Sequence, residues 1–137
     1  MPASTLAQKP KLQPGMQACV YHAPAGYIQK LAAPRTPGVD SELRHGPFDW
    51  LQVFVRDQAD LKTVAPRLKS ALKPQSLLWI AYPKGASGMQ TDLTRDKGWE
   101  ALKPLDLKWV TLISVDEAWS AFALRPYKPG EKRQSFR

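Results

Sequence analysis

Two short, nearly continuous apolar segments constrain the fold of this chain more than any other feature. Residues 48–55 and 77–82 are rich in leucine, β-branched and aromatic side chains, and neither alternates regularly between apolar and polar positions. Such segments are typical of strands that are covered on both faces, as in a parallel sheet. Between them, apolar residues recur at helical spacing from Leu61 to Leu72, which predicts an amphipathic helix.

Further elements are predicted on both sides of this strand–helix–strand unit. Residues 16–21, 109–115 and 119–124 form short apolar runs, and the last two are so close together that they should be antiparallel strands. Weaker patterns predict a peripheral strand at 39–43. The alternation predicts an α/β fold: a three-layer Rossmann-like sandwich with a mostly parallel sheet and a C-terminal antiparallel hairpin.

Helix boundaries follow from caps and prolines. Thr91 or Asp92 can cap a helix that would continue until Pro104, with Leu93, Trp99 and Leu102 toward the core. In the preceding helix, Pro66 is expected to kink or split the chain, because proline lacks the N–H that a helix interior needs. All five tryptophans and Cys19 fall in predicted strands or helices, where burial in the core is expected.

The distribution of charge separates the tails from the centre of the chain. With 137 residues, the chain is predicted to hold a flexible N-terminal segment (1–14), a single α/β domain (15–125) and a basic flexible C-terminal tail (126–137). Of the formal net charge of +8, the two tails carry +5. Such tails attract polyanions weakly and in a salt-sensitive way, so any nucleic-acid binding should be weak and non-specific.

Several function classes are excluded by what the sequence lacks. No segment is apolar enough for a membrane span or a signal peptide, so a cytoplasmic protein without a membrane partner is expected. A single cysteine rules out an internal disulfide or a zinc site of paired cysteines, and only His22 and His45 could add imidazole ligands. We therefore expect no metal site, no cofactor and no catalytic residue.

The order of several short motifs resembles that of the class I S-adenosylmethionine-dependent methyltransferases. Residues 12–15 lead into a strand, Phe48-Asp49 opens another, and residues 72–74 precede the strand at 77–80, in the order that this family uses. The terminal strand pair resembles the family's C-terminal antiparallel hairpin. The chain is also similar to small bacterial proteins that look like shortened, degenerate versions of that fold.

The resemblance implies a cofactor site that has been altered. In the family the first strand ends in an acidic residue and a G-x-G-x-G loop, because glycine lets the backbone approach the cofactor closely. If the turn at residues 14–15 fixes the register, the acidic position is Val20, the first two glycine positions are His22 and Pro24, and only Gly26 remains. Residues 27–47 are too few for the helix, strand and helix that commonly follow.

Candidate ligand contacts lie beyond the carboxyl ends of the predicted strands, where open parallel sheets bind ligands. The stretch 82–92 contains small residues and precedes a predicted helix start, so it could bind an anion through backbone N–H groups; an ordinary loop is the alternative. The candidate anion- or small-molecule-binding residues are His22, Gly26, Arg56, Lys84, Ser87, Gly88, Thr91, Arg95 and Asp116.

Three functions are compatible with these observations. The leading hypothesis is a non-catalytic domain that binds a small anion or a protein partner on a methyltransferase-like fold. A methyltransferase with an atypical cofactor loop is the first alternative, and a nucleic-acid-associated protein that uses its basic tails is the second.

Overall fold

The computed structural model describes residues 17–22, 42–84, 91–93, 98–115 and 118–132. These residues form strand β1 (Ala18–Tyr21), a first 3-10 helix (Leu43–His45), β2 (Phe48–Phe54), helix α1 (Gln58–Ala71), β3 (Leu72–Pro83), a second 3-10 helix (Glu100–Leu105), β4 (Leu107–Ser114) and β5 (Trp119–Pro126).

The strands form one five-stranded sheet in the order β1-β2-β3-β5-β4. The β1–β2 and β2–β3 pairs are parallel, whereas β5 is antiparallel to both of its neighbours, β3 and β4. The described sheet is therefore mixed, not mostly parallel as the sequence predicted. Apolar runs identify strands, but they do not determine the order or the direction in which the strands pair.

The central strands send alternate side chains to two separate apolar clusters. On one face, Leu51, Val53 and Ile80 pack with the buried side of α1. On the other face, the cluster contains Trp50 and Trp79 and includes no residue of a described helix. One helical layer is thus observed, and the three-layer arrangement remains a prediction.

Helix α1 buries the apolar face that its sequence pattern predicts as far as Leu68, whereas Leu72, the last residue of that pattern, lies in β3. Its N-cap residue, Asp57, accepts a hydrogen bond from the backbone N–H of Asp60 at 2.9 Å. Leu61, Val64, Ala65, Leu68 and Ala71 are buried. Pro66 lies inside the helix and does not split it. Both Pro66 and Lys62, whose carbonyl loses its helical donor, are exposed, so water can satisfy that carbonyl.

Three sequence-based boundaries were wrong. Strand β3 begins at Leu72, directly after the helix, and not at residue 77. The segment predicted as a peripheral strand enters a 3-10 helix at Leu43, and its residues 39–41 lie outside the described part. The helix expected after Asp92 is reduced, among the described residues, to a 3-10 helix that starts at Glu100 and contains Pro104. Gly98, with φ of 99°, has a left-handed conformation that a right-handed helix cannot include.

A polar cluster ties the amino ends of the first three strands together. Asp49 of β2 accepts hydrogen bonds from the backbone N–H of Gln17 at 2.9 Å and from the Lys73 ammonium of β3 at 3.0 Å. Lys73 also donates to the side-chain oxygen of Gln17. The Gln17 N–H, followed by Lys73, lowers the pKa of Asp49, so the carboxylate form favours this arrangement.

Gly98 is the position where an added methyl group should be least tolerated. A Cβ there would lie 2.7 Å from Leu93 Cδ2 and 3.0 Å from Gln58 Cγ, whereas a Cβ at Gly130, with φ of 79°, would meet no atom within 4 Å. We expect Gly98→Ala to lower the free energy of unfolding by about 3 kcal/mol, since it adds overlap to the left-handed strain, and Gly130→Ala by about 1 kcal/mol.

Urea unfolding of the two variants measures this difference. Because both glycines have positive φ, the Gly130→Ala control isolates the contribution of crowding. Equal losses in the two variants would contradict the close packing of Gly98 against Leu93 and Gln58.

Candidate functional site

Four strands end in the same direction at one edge of the sheet. β1, β2 and β3 are parallel, and β4 runs in the same direction because both it and β3 are antiparallel to β5. His22, Arg56 and Lys84 follow β1, β2 and β3, so the structure brings these three predicted residues to one edge, here called the carboxyl edge. Five other candidates lie outside the described residues: Gly26, Ser87, Gly88, Arg95 and Asp116.

His22 has an unusual backbone conformation for a residue with a side chain. Its φ of 59° lies in the left-handed region that favours glycine, and it occupies the position that the resemblance assigns to the first glycine of the cofactor loop. Its imidazole stacks on the ring of Tyr21, with centroids 3.9 Å apart and an interplanar angle of 19°. Arg67 of α1 donates to the Tyr21 hydroxyl at 2.8 Å. Residue 22 therefore has a glycine-like backbone conformation, but it carries an imidazole side chain.

Lys84 is held at the end of the central strand by contacts with β4 and with the residue preceding β5. Its backbone N–H donates to the carbonyl of Ala118 at 2.8 Å. Its ammonium donates to the hydroxyl of Ser114 at 2.5 Å. The positive charge is therefore positioned where β3, β4 and β5 meet the carboxyl edge. Arg56, in contrast, has an exposed side chain whose guanidinium lies 3.9 Å from Asp60.

The carboxylates near this edge are engaged by the start of α1. Asp92 Oδ1 accepts from the backbone N–H of Gln58 at 2.7 Å, and the Gln58 amide donates back to the Asp92 carbonyl at 3.0 Å. Asp60 accepts from the backbone N–H of Arg56 at 3.0 Å, and Asp57 is the N-cap already described. Negative charge at a helix N-terminus is stabilising, and these carboxylates occupy donors that an anionic ligand would otherwise use.

The role predicted for Thr91 and Asp92 is corrected by these contacts. Asp92 contributes to the start of α1, which precedes it in the chain, and residues 94–97, which it was predicted to cap, lie outside the described part. The Thr91 hydroxyl accepts from the backbone N–H of Leu93 at 3.0 Å, a local turn contact. Sequence spacing could not show the Asp92–Gln58 pair, because its two residues are separated by 34 positions.

An aromatic cluster supports the carboxyl edge from inside the domain. Tyr82, two residues before Lys84, meets Trp99 edge-on at 5.2 Å and stacks on Phe122 at 5.7 Å. Trp109 meets Phe122 edge-on at 4.8 Å. The prediction that the tryptophans serve the core is confirmed for Trp50, Trp79, Trp99 and Trp119, which are buried, while Trp109 is partly buried. Tyr82 therefore packs the end of β3, next to Lys84, against the aromatic core.

A groove of about 530 Å³ lies at the opposite edge, away from the predicted site residues. It is lined by Pro74, Gln75 and residues 125–129. Arg125 donates to Glu131 through two nitrogens, at 2.9 and 2.7 Å, and Lys108 donates to the same carboxylate at 2.7 Å. These hydrogen bonds lower the pKa of Glu131 and raise that of Arg125. This cluster was not predicted from the sequence, because Glu131 falls in the segment that was predicted to be a flexible tail.

The described residues offer neither a metal-binding cluster nor a membrane-spanning helix. They contain no group of three or more histidine, cysteine, aspartate or glutamate side chains that could bind a metal ion. No helix among them has both the length and the apolarity to cross a membrane. The domain boundaries, the cytoplasmic location and the role of the basic tails remain predictions.

Comparison with known proteins identifies the fold. No family model and no curated protein matches the chain. Among solved structures, a ribosomal protein L11 methylase from Lactobacillus delbrueckii subsp. bulgaricus matches with a TM-score of 0.59 at 12% identity, over 89% of this chain and 76% of that one. The N-methyltransferase NodS from Bradyrhizobium japonicum WM9 matches with 0.53 at 17% identity, over 91% and 82%.

A third match agrees with these two. A TehB-like SAM-dependent methyltransferase from Corynebacterium glutamicum matches with a TM-score of 0.52 at 11% identity, over 92% of this chain and 89% of the other. The chain has a shortened methyltransferase-like fold. At these low sequence identities, structural similarity establishes the fold of the chain but not its activity.

The Asp92–Gln58 contact can be tested by removing the carboxylate. We expect Asp92→Ala to lower the free energy of unfolding by about 1 kcal/mol, because the first N–H of α1 loses a charged acceptor. Glu100→Ala, which removes the same charge from an exposed position, should change it by less than about 0.5 kcal/mol. Urea denaturation followed by circular dichroism provides both values; indistinguishable variants would argue against the contact.

Proposed function

We propose that this methyltransferase-like domain binds a small anionic ligand at its carboxyl edge and does not transfer methyl groups. The observation that carries the proposal is the conformation of His22, which keeps a glycine-like φ of 59° while its imidazole stacks on Tyr21. Where a close backbone approach needs glycine, an imidazole adds bulk. S-adenosylmethionine should therefore be excluded from the end of β1.

Two cationic side chains support anion binding at the carboxyl edge, where Asp57, Asp60 and Asp92 are engaged by backbone N–H groups. Arg56 and Lys84 follow adjacent parallel strands, and Lys84 is fixed by Ser114 and Ala118. A positioned ammonium binds an anion with less loss of side-chain freedom than a mobile one.

The hydrogen bonds of the described carboxylates near this edge argue against a role for them in acid–base catalysis. Asp57, Asp60 and Asp92 accept hydrogen bonds from backbone N–H groups at or next to the start of α1. A general base needs a carboxylate or imidazole within reach of a substrate proton. These three carboxylates instead have a structural role, which supports binding over catalysis.

Inorganic phosphate and pyrophosphate are suitable probes of this site. We expect both to raise the melting temperature, because a ligand that binds only the folded state stabilises it. Lys84→Gln should weaken pyrophosphate binding about three- to tenfold in calorimetry, since one positioned charge is lost. Lys69→Gln, on the exposed face of α1, is the matched control and should bind as the unchanged chain does.

Two outcomes of the phosphate experiment would contradict the proposal. Equal weakening in the Lys69 and Lys84 variants would point to general electrostatic attraction and contradict a site at the carboxyl edge. No binding of either anion at about 10 mM, a concentration that detects even millimolar affinities, would also overturn it.

A methyltransferase with an atypical cofactor loop is the second candidate, favoured by the likeness of the fold to solved methyltransferases. It predicts that S-adenosylmethionine or S-adenosylhomocysteine binds in calorimetry and raises the melting temperature. Our proposal predicts no heat of binding and no shift with either nucleoside at about 1 mM. A complex with a micromolar dissociation constant would reverse the order of the two candidates.

A further inference from the structure

The groove where β3 begins and β5 ends, here called the amino-edge groove, lies at the opposite edge of the sheet from the site proposed above. Its volume of about 530 Å³ is within the range of pockets that enclose small molecules. Its described lining consists of Pro74, Gln75 and residues 125–129. Three of these residues are prolines and one is Tyr127, so rigid ring side chains form most of the described lining.

Ser76, which is buried, fixes the side of the groove that β3 forms. Its hydroxyl accepts from the backbone N–H of Lys73 at 2.6 Å and donates to the carbonyl of Phe48 at 2.5 Å. Pro74 and Gln75 lie between Lys73 and Ser76 in the chain, and both are exposed. In the described part of the chain the Gln75 amide has no hydrogen-bond partner, so its donors and acceptor are available to a ligand.

Glu131 fixes the other side of the groove. Its carboxylate accepts from the side chains of Arg125 and Lys108, and from the backbone N–H of Lys128 at 2.9 Å. The backbone N–H of Glu131 donates in turn to the carbonyl of Lys128 at 3.0 Å. The segment that contains Tyr127 is therefore held to β5 through Arg125 and to β4 through Lys108.

Positive charge predominates at this edge of the sheet. The segments that form or flank the groove (73–76, 103–108 and 125–132), taken with Asp49, which is bonded to Lys73, contain six cations and three carboxylates, a net charge of +3. The cations are Lys73, Lys103, Lys108, Arg125, Lys128 and Lys132, and the carboxylates are Asp49, Asp106 and Glu131. Lys128 is exposed, and its ammonium has no hydrogen-bond or ion-pair partner among the described residues. A negatively charged partner is therefore expected at the groove.

We propose that the amino-edge groove binds single-stranded nucleic acid, with one base against Tyr127 and the adjoining phosphate at Lys128. Aromatic side chains and a positively charged groove are the features by which proteins bind single strands without sequence preference. The amide of Gln75, on the other side of the groove, offers hydrogen bonds to the edge of that base. Since one aromatic ring accommodates one base, binding should be weak, with a dissociation constant on the order of 10–100 µM.

The adjacency of Tyr127 and Lys128 favours a nucleotide over an acidic peptide as the occupant. A nucleotide joins a flat ring and a negative charge in one unit, and these two neighbouring residues supply a ring and a positive charge side by side. An acidic peptide separates the two features onto different residues and carries its charges on flexible side chains. The groove thus adds a place for a base to the charge attraction that was predicted for the basic tail.

Fluorescence anisotropy of the full chain at about 50 mM salt, where charge attraction is easily measured, tests the proposal with two labelled probes. One probe is an oligothymidylate of about ten nucleotides, a length within the range of known single-strand sites. The other is an abasic oligomer of the same length, which has the phosphates without the bases. The oligothymidylate should bind at least about fivefold more tightly, because stacking of a base adds to the attraction between charges.

Substitutions of Tyr127 and Lys128 separate the two contributions to binding. Tyr127→Leu removes the ring but keeps apolar bulk, so it should weaken binding of the oligothymidylate about fivefold and leave the abasic probe unaffected, whereas Tyr127→Phe should bind both probes as the unchanged chain does. Lys128→Gln should weaken both probes and reduce the slope of log affinity against log salt by about 0.7, since one phosphate contact is lost. Lys62→Gln, on the exposed face of α1, is the matched control and should change neither affinity nor slope. Circular dichroism and melting curves establish that the variants fold.

Several results would overturn the proposal. Equal affinity of the unchanged chain for the two probes would mean that no base enters the groove, and a Tyr127→Leu variant with unchanged affinity for the oligothymidylate would place the base elsewhere. Equal weakening by Lys62→Gln and Lys128→Gln would reduce the interaction to general attraction between charges. An oligoglutamate peptide of the same length that binds more tightly than the oligothymidylate would assign the groove to an acidic protein segment instead.

Discussion

Strand β3 is the constraint on which the rest of the structure depends. Its residues from Leu78 to Ala81 pair with β2 on one side and β5 on the other, and their side chains are buried on both faces. A buried strand must satisfy its backbone N–H and C=O groups through its neighbours, which fixes the positions of β2 and β5. The parallel half and the antiparallel half of the sheet meet at β3, and the end of β3 carries Lys84 to the carboxyl edge.

Local sequence patterns predicted β2 and α1, because the burial of each element determines the spacing of its apolar residues. The continuous apolarity of β2 and the helical spacing from Leu61 to Leu72 identified both elements, because burial on two faces or on one stripe leaves a direct mark on the pattern of apolar residues. The start of β3 was not readable, since its first residues, Lys73 and Gln75 among them, are polar. Ser76 stabilises that region: its hydroxyl accepts from the N–H of Lys73 and donates to the carbonyl of Phe48.

The candidate site was predictable only in part, for a similar reason. The sequence indicated three parallel strands. Their shared direction places His22, Arg56 and Lys84 at one edge of the sheet. The contacts that give the edge its character are long-range: Asp92 with Gln58, Arg67 with Tyr21, and Lys84 with Ser114. The left-handed conformation of His22 was not predicted either, because only a few per cent of residues other than glycine have positive φ.

The overall fold and residue 22 therefore lead to different expectations about cofactor binding. Solved methyltransferases share the arrangement of strands, while position 22 keeps the backbone conformation of a glycine and carries an imidazole. A framework of buried strands tolerates sequence change as long as its apolar pattern remains, whereas a cofactor loop depends on single residues. Function in this chain is thus best sought in individual side chains at the carboxyl edge.

The bridge between Asp92 and Gln58 links two parts of the chain that are 34 positions apart in sequence. It fastens Asp92 to the first turn of α1, so displacing Asp92 deprives the helix of an acceptor. Local opening of the helix start and rearrangement beyond β3 become thermodynamically coupled. Amide hydrogen exchange at Gln58 therefore reports on displacement of Asp92.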